Sequence, residues 1–297
     1  VRQIHRIEHL ESRLLFARPY GVDVSYYQTT NGTTNIINWS QAKASGIEFA
    51  LIRSSYGNAS ADTAFVSQAS AAKAANVLVG AYHFAYPDGS DAITEANNFM
   101  NRASAYMGVG SLPPVLDMEN NDNAMTNSAL TTWANDFANH IYNTIGVKPY
   151  IYCNSNWATN ILQSSVNQWP LWIANYGAAY SSIPQTANPP TGVWPSNTWK
   201  FYQYTSTGSI SGYTGNIDKD VFNGDLAALQ AEAILDREVT VLDGPANIAD
   251  GQTGAISFGT VNQNASAPQK TFTVRNDGDL LLNLSSLILP VGFTIVS

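Results

Sequence analysis

Leu112–Asn120 reads LPPVLDMEN, a short apolar run closed by acids at 117 and 119. Side chains on a strand alternate between faces, so Asp117 and Glu119 point the same way, about 7 Å apart along the chain. Two carboxyls on one partly buried face repel each other and lose solvation, which raises at least one pKa. A raised carboxyl pKa is what a proton donor needs near neutral pH.

Seven other stretches have the same character: short, rich in Val, Ile and Tyr, and ended by Gly, Asn or Pro. They are GVDVSYY from Gly21, FALIRSSYG from Phe49, VLVGAYHFAY from Val77, PYIYCN from Pro149, PLWIANYG from Pro170, WKFYQYTS from Trp199 and NIDKDVFNG from Asn216. Such runs predict buried strands. Helical spacing separates the early ones. Phe65, Ala69, Ala72 and Ala75 mark one helix, and Ile93, Ala96, Phe99, Met100 and Ala103 a second. Leu130, Trp133, Phe137, Ile141 and Ile145 mark the longest, which starts near Asn127-Ser128 and stops at Gly146. Alternating strands and helices predict a parallel sheet with helices outside, and eight strands favour closure into a barrel. The last three strands are joined by Gly-, Ser- and Pro-rich loops, so the second half should be irregular. The fold class is therefore α/β, an irregular TIM-like barrel of eight strands with fewer helices. In a closed barrel the first and last strands are neighbours, which brings Asp23 and Asp218 together.

The segment DLAALQAEAILDRE, from Asp225, reads as a helix closing this domain. From Val239 the composition shifts to short β-type runs, VTVLDG, AISFGTV, KTFTVRND, LLNLSSLIL and FTIVS, which predict part of a β-sandwich. The last run breaks off strand-like, so the domain is expected to continue beyond Ser297. Residues 1–19 are Arg-rich and end in a short apolar run. They read as an amphipathic or export-type leader, with IEHLESRLLFA loosely similar to the LEPR-xLL segment of exported proteins. The expected organisation is thus a leader over 1–19, a barrel over 20–237 and a partial sandwich over 238–297.

Composition narrows the function. Only 12% of residues are charged and the net charge is -8, which argues against nucleic acid, whose binding rests on Lys and Arg. A polar, weakly charged surface suits sugars. No stretch approaches the roughly 20 apolar residues of a membrane span. Cys153 is the one cysteine and reads as a buried structural thiol; the four histidines lack metal-ligand spacing, so no cofactor or metal is expected. Tyr82, Tyr152, Trp172, Tyr176 and Tyr204 fall in or just after strands, as aromatics that could stack on sugar rings or fill the core. His83, opposite in phase to Tyr82, reads as a satisfied core histidine.

From Tyr20 to Leu229 the chain resembles the glycoside hydrolase family 25 muramidases, the Chalaropsis-type lysozymes. GVDVSYYQ, NWSQAKASGIEFALIRSSYG, GAYHFAYP, LPPVLDMEN, PLWIANYG, FYQYT and NIDKDVFNG carry the likeness in the family's order. The resemblance implies hydrolysis of the β-1,4 bond from N-acetylmuramic acid to N-acetylglucosamine in peptidoglycan. It implies Glu119 as general acid and Asp117 as the neighbour that orients the substrate N-acetyl group or stabilises developing positive charge. Asp23 and Asp218 match the family's other active-site acids, and Tyr82 and Trp172 match positions lining the groove. One departure is RSSYG, from Arg53, where many members carry an acidic residue in a KATEG-like motif. The tail resembles hydin-type, choice-of-anchor D immunoglobulin-like repeats through ISFGTV, KTFTVRNDGD and LLNLSSL. The partner implied is the peptidoglycan glycan strand, met by a secreted or envelope-associated protein, with a monomer favoured. Rival readings are a non-catalytic glycan-binding protein, a structural envelope protein, and a chitinase-like barrel, which usually shows a longer DxxDxDxE run.

Overall fold

A computed structural model describes residues 17–87, 92–236, 238–249, 252, 254–278, 289 and 291–295. The chain divides into two units, one running to Ile234 and the other from Leu235.

The first unit contains strands β1 (Tyr20–Val24), β2 (Ile47–Tyr56), β3 (Ser60–Ala61), β4 (Leu78–Phe84), β5 (Val115–Asp117), β6 (Tyr150–Asn154), β7 (Leu171–Ala174), β8 (Phe201–Gly208) and β9 (Ile217–Phe222). They bond in the order β1-β9-β8-β7-β6-β5-β4-β2, and β1 also pairs with β2. Eight strands therefore close into a barrel, with the two-residue β3 attached to β2. Each of the eight overlaps a stretch that the sequence marks as a strand, with β1, β2 and β8 running one or two residues beyond it. The short β3 was not foreseen, and neither was the helix Trp39–Ala44, whose N-cap Asn38 accepts a bond from the Gln41 N–H.

Alternation sorts the side chains. Phe49, Leu51, Val115, Tyr150, Trp172, Phe201 and Phe222 fill the barrel. Val22, Ile52, Leu116, Ile151, Ile173 and Val221 point outward, against the helical Phe99, Trp133, Phe137 and Ile141. The interior is crowded enough to dictate a glycine. A Cβ at Gly21 would lie 2.3 Å from the Phe49 ring. Burying a large side chain such as Phe201 stabilises by about 1.5–3 kcal/mol, so these rings set the barrel's cross-section.

The parallel sheet expected from the sequence needs one correction. β9 runs antiparallel to both β1 and β8. Parallel neighbours need a crossover of a dozen or more residues, usually with a helix, whereas antiparallel ones can be joined by a short turn. Ser209–Asn216 is too short for a crossover and carries Gly212 and Gly215 at positive φ, so the chain turns back as a hairpin.

The long helix spans Asn127–Ile145 and stops as expected at Gly146, which takes the left-handed conformation at φ 70°. It starts at Asn127, also as expected, with Thr126 as N-cap: the Thr126 hydroxyl accepts from the Ala129 N–H. The helix expected over 225–238 is shorter, Leu226–Ala231, with Asp225 as N-cap. Beyond it Ile234 exchanges backbone bonds with Ser111 and Gly110 at 2.8 and 2.9 Å, and these replace helical bonds. Leu229 packs into the interior cluster, and Glu232 accepts bonds from Tyr150 and Lys200, closing the barrel floor.

At the other terminus, residues 1–16 lie outside the described part, and the leader reading with them. Arg18, which the sequence assigned to the leader, is tied to the barrel. Its guanidinium donates to the carbonyls of Pro184 and Ala187 at 2.9 and 2.7 Å and stacks on Trp199 at 4.6 Å.

The second unit holds β10 (Val239–Asp243), β11 (Ala246–Ile248) and β12 (Phe272–Asn276), antiparallel in the order β11-β10-β12. AISFGTV, from Ala255, forms no strand: Ile256 and Phe258 are half-buried, Phe258 meets Phe272 and Phe293 at 6.3 and 5.2 Å, and among the described residues no strand pairs with it. LLNLSSLIL lies outside the described residues apart from Leu289, and FTIVS, as far as Ile295, is not a strand. One small antiparallel sheet is what the described residues contain.

Candidate active site

The parity that fills the barrel also aims the acids. Along β5, Val115 points inward and Leu116 outward, so Asp117 points inward. β5 ends there, but the Met118 N–H still donates to the Tyr152 carbonyl at 2.9 Å and Met118 packs outward, which returns Glu119 to the inner side. Asp117 is 6% exposed, whereas Glu119 is exposed at the rim. Asp23 lies near the C-terminal end of β1. Because β9 is reversed, its first residues reach this same end, and Asp218 sits directly opposite Asp23 in the antiparallel register. Directly opposed residues in such a pair have Cβ atoms about 4.5–5.5 Å apart. In the strand order β5 and β9 face each other across the barrel. The structure thus brings Asp23, Asp117, Glu119 and Asp218 to one mouth, and adds Asp220, two residues on and equally inward.

This crowding appears in the proton affinities. Burial raises Asp117 well above the usual carboxylate range, Glu119 raises it further, and the Arg53 guanidinium opposes both. Glu119 is raised by desolvation, although it keeps access to solvent. Asp23 is raised by burial and by repulsion from Asp220 and Asp218, against the bond it accepts from Gln203 Nε2 at 2.6 Å. Burial takes Asp218 to about 6 and Asp220 to about 8. Protons in such a group belong to the set rather than to single residues. Asp117 Oδ1 is buried without a hydrogen-bond donor among the described residues, and so is Asp220 Oδ2.

Comparisons with known proteins identify the family. The family model for glycosyl hydrolases family 25 matches residues 22–213. The chain belongs to this family. Lysozyme M1 of Streptomyces globisporus is 31% identical over 222 residues, covering 72% of this chain and 70% of that protein. The N,O-diacetylmuramidase of a Chalaropsis species is 28% identical over 213 residues, 67% of this chain and 95% of the relative. Among solved structures, the bacterial lysozyme of Streptomyces coelicolor superposes with a TM-score of 0.63 at 30% identity, covering 73% of this chain and 97% of that one. A family 25 lysozyme from Aspergillus fumigatus gives 0.58 at 28%, covering 72% and 98%. As a family 25 member the protein is a glycoside hydrolase, and its closed mixed barrel with few helices matches those folds.

The aromatics of this family 25 hydrolase divide by face. Tyr82, Tyr152 and Trp172 point inward beneath the acids, Tyr82 to Trp172 at 6.0 Å and Tyr152 to Trp172 at 4.4 Å. Trp172 is 1% exposed and donates through Nε1 to Asp220 Oδ1 at 2.8 Å, so it is held as floor. Tyr152 donates to Gln203 Oε1 at 2.8 Å, and Tyr176, half in solvent after β7, donates to the same oxygen. Tyr204 is not brought to the acids. It is one residue out of phase with Gln203, points outward and packs against Tyr20 and Tyr202 at 6.4 and 6.2 Å. Its other side borders a shallow pocket of about 410 Å³ lined by Tyr176, Ser181, Ser182, Thr205, Ser206 and Thr207.

His83 is outward and buried, bonded to Ser55 and Glu95 at 2.8 and 2.9 Å, with burial lowering its pKa. Cys153 is outward and buried too, and burial pushes its thiol up. Neither reaches the mouth. Three residues there went unassigned from sequence: Gln203, Asp220 and Arg53. The first two could have been found by parity, since Phe201 and Phe222 are interior and each lies two positions away. Arg53 is in register with Tyr82 on β4, yet sequence shows it only as a departure from a motif.

Proposed function

We propose that this hydrolase is a muramidase that cuts the β-1,4 bond between N-acetylmuramic acid and N-acetylglucosamine in peptidoglycan. Its relatives named as lysozymes and muramidases support the substrate class. The observation that carries the assignment of roles is the pair at the end of β5: an exposed carboxyl of raised pKa next to a buried one with an oxygen unpartnered among the described residues.

Glu119 is the general acid. It gives its proton to the bridging oxygen as the C1–O bond breaks, leaving positive charge on the sugar ring. Asp117 Oδ1 accepts a bond from the substrate's acetamido N–H, or faces the developing charge. Either contact favours the Asp117 anion, so the proton held by the pair settles on Glu119, beside the leaving oxygen. Water adds its hydroxyl to C1 and gives its remaining proton to an ionised carboxylate of the mouth, which balances the one that Glu119 spent. Asp23 and Asp218 line the facing wall, with Tyr82, Tyr152 and Tyr176 around them. A general acid in place contributes about 10²–10⁴ in rate. The protein acts outside the cell or in the envelope, where its substrate is, and the C-terminal unit, an immunoglobulin-like spacer, adds no chemistry.

The test is mass spectrometry of products from purified peptidoglycan. Reducing muramic-acid ends, lost with Glu119→Gln, support the reading. Reducing glucosamine ends, or equal turnover by Glu119→Gln, overturn it.

A further inference from the structure

Along the mouth between β1 and β4 runs a row of tyrosines that the acid chemistry does not use. Tyr26 and Tyr27 form a one-turn 3₁₀ helix after β1, closed by a capping box between Ser25 and Gln28. Their rings lie 4.3 Å apart. Tyr56 ends β2, and Tyr86 follows β4 at 6.3 Å from it. The Arg53 guanidinium links the two pairs, 4.9 Å from Tyr26, 5.6 Å from Tyr27 and 5.4 Å from Tyr56. Arg53 is itself fixed by a 3.0 Å ion pair from Nε to Asp62 Oδ2, and that same oxygen accepts the Tyr26 N–H at 3.0 Å. The cation is buried and held from behind through Nε, so it braces the rings, while its Nη2 has no acceptor among the described residues. The rings are presented: Tyr27 is 68% exposed and Tyr86 40%. Four aromatic faces held rigid at a rim have already lost the side-chain entropy that binding would otherwise cost.

We infer that this tyrosine ledge is a glycan-stacking subsite, occupied by sugar rings of the same strand whose bond lies over Asp117 and Glu119; the inference rests on the muramidase reading for the identity of the strand. Continuity supports the occupant. Arg53 pairs in register with Tyr82, whose ring borders the acids, so ledge and acids form one surface. The strand order supplies a direction. β2 and β4 lie across the barrel from β7 and β8, on the diameter crossing the one from β5 to β9. A strand leaving the ledge therefore passes between Asp117/Glu119 and Asp218, and reaches the hydroxyl-lined pocket beside Tyr176. Tyrosine suits this occupant: its ring stacks on sugar C–H faces while its hydroxyl stays in water.

The test uses Tyr27→Ala and Tyr56→Ala, with Tyr27→Trp as the conservative exchange, on solubilised glycan strands from purified peptidoglycan. KM should rise about tenfold for each alanine variant. The loss should fall on KM rather than kcat, and tryptophan should restore it. Thermal melting checks folding; should Tyr56→Ala not fold, the exposed Tyr27 decides. An unchanged KM, or a loss confined to kcat, overturns the proposal. Pelleting with insoluble peptidoglycan, in a Glu119→Gln background, separates the two readings. If the wild type does not cut but the tyrosine variants lose pelleting, the muramidase reading fails and the ledge stands. If the wild type cuts and the variants pellet equally, the ledge alone fails.

Discussion

The two walls of the mouth carry acids in opposite states of restraint. On the β1/β9 side, Asp23 accepts from Gln203 and Asp220 from Trp172, and Gln203 is in turn held by Tyr152 and Tyr176. On the β5 side Asp117 Oδ1 has no hydrogen-bond partner among the described residues and Glu119 stands in solvent; Asp220 Oδ2 is likewise unpartnered, but Asp220 is still held through Oδ1. A bonded carboxyl is a good wall because it cannot easily turn. A loosely held one can give a proton away. The difference predicts where chemistry resides before any substrate is considered.

The largest effect should come from the loose side. Glu119→Gln should lower kcat by about 10³-fold with binding to insoluble peptidoglycan intact, and Asp117→Asn by about 10²-fold, read by turbidity loss and pelleting. Asp23→Asn should cost less, about tenfold, because it disturbs position rather than proton supply. If Asp23→Asn matches Glu119→Gln, the contrast between the walls is broken.

The pH profile sharpens the same contrast. A general acid must be protonated, so kcat/KM should fall as pH rises through the raised pKa of the β5 pair, above the ordinary glutamate range. Arg53→Gln removes the cation that opposes the rise at Asp117, so this limb should move to higher pH.

The restrained wall should report on stability. Asp220 titrates at about 8 in the fold against 3.8 without it. A raised folded pKa means the native state holds the proton more tightly, so this contribution is present below the unfolded value and lost as pH climbs from about 4 to 8. Asp220→Asn keeps an acceptor for Trp172 and removes the ionisation. It should raise Tm by a few degrees, about 2–4 °C for each kcal/mol, with the gain growing towards pH 8 in a melting series. The smallest effect belongs to the second unit: a chain ending at Glu238 should keep turnover within about twofold, since the barrel has its own core.

Much of this site was legible in the residues. Val22 beside Asp23, and Leu116 and Met118 around Asp117, give alternations that only one orientation satisfies, so the inward acids could be read directly. What escaped depended on phase or on distant partners. Tyr204 looks like Tyr152 in composition, and only the inward Phe201 shows that position 203 faces the acids and 204 does not. The reversal of β9 lay in the shortness of Ser209–Asn216, a property of the link rather than the strand. The Arg53–Asp62 brace joins β2 to the loop after β3, off the barrel's repeating pattern, where no periodicity points.

The reversed closing strand also sets what the gene can tolerate. The turn Ser209–Asn216 can absorb an added residue, because the register on either side stays put. A residue inserted between Asp220 and Val221, with the pairing beyond it kept, would slide the preceding residues by one, turning both aspartates outward and delivering Lys219 into the mouth. One codon there would cancel the negative charge of that wall, while most of the barrel's hydrophobic interior stayed as it was.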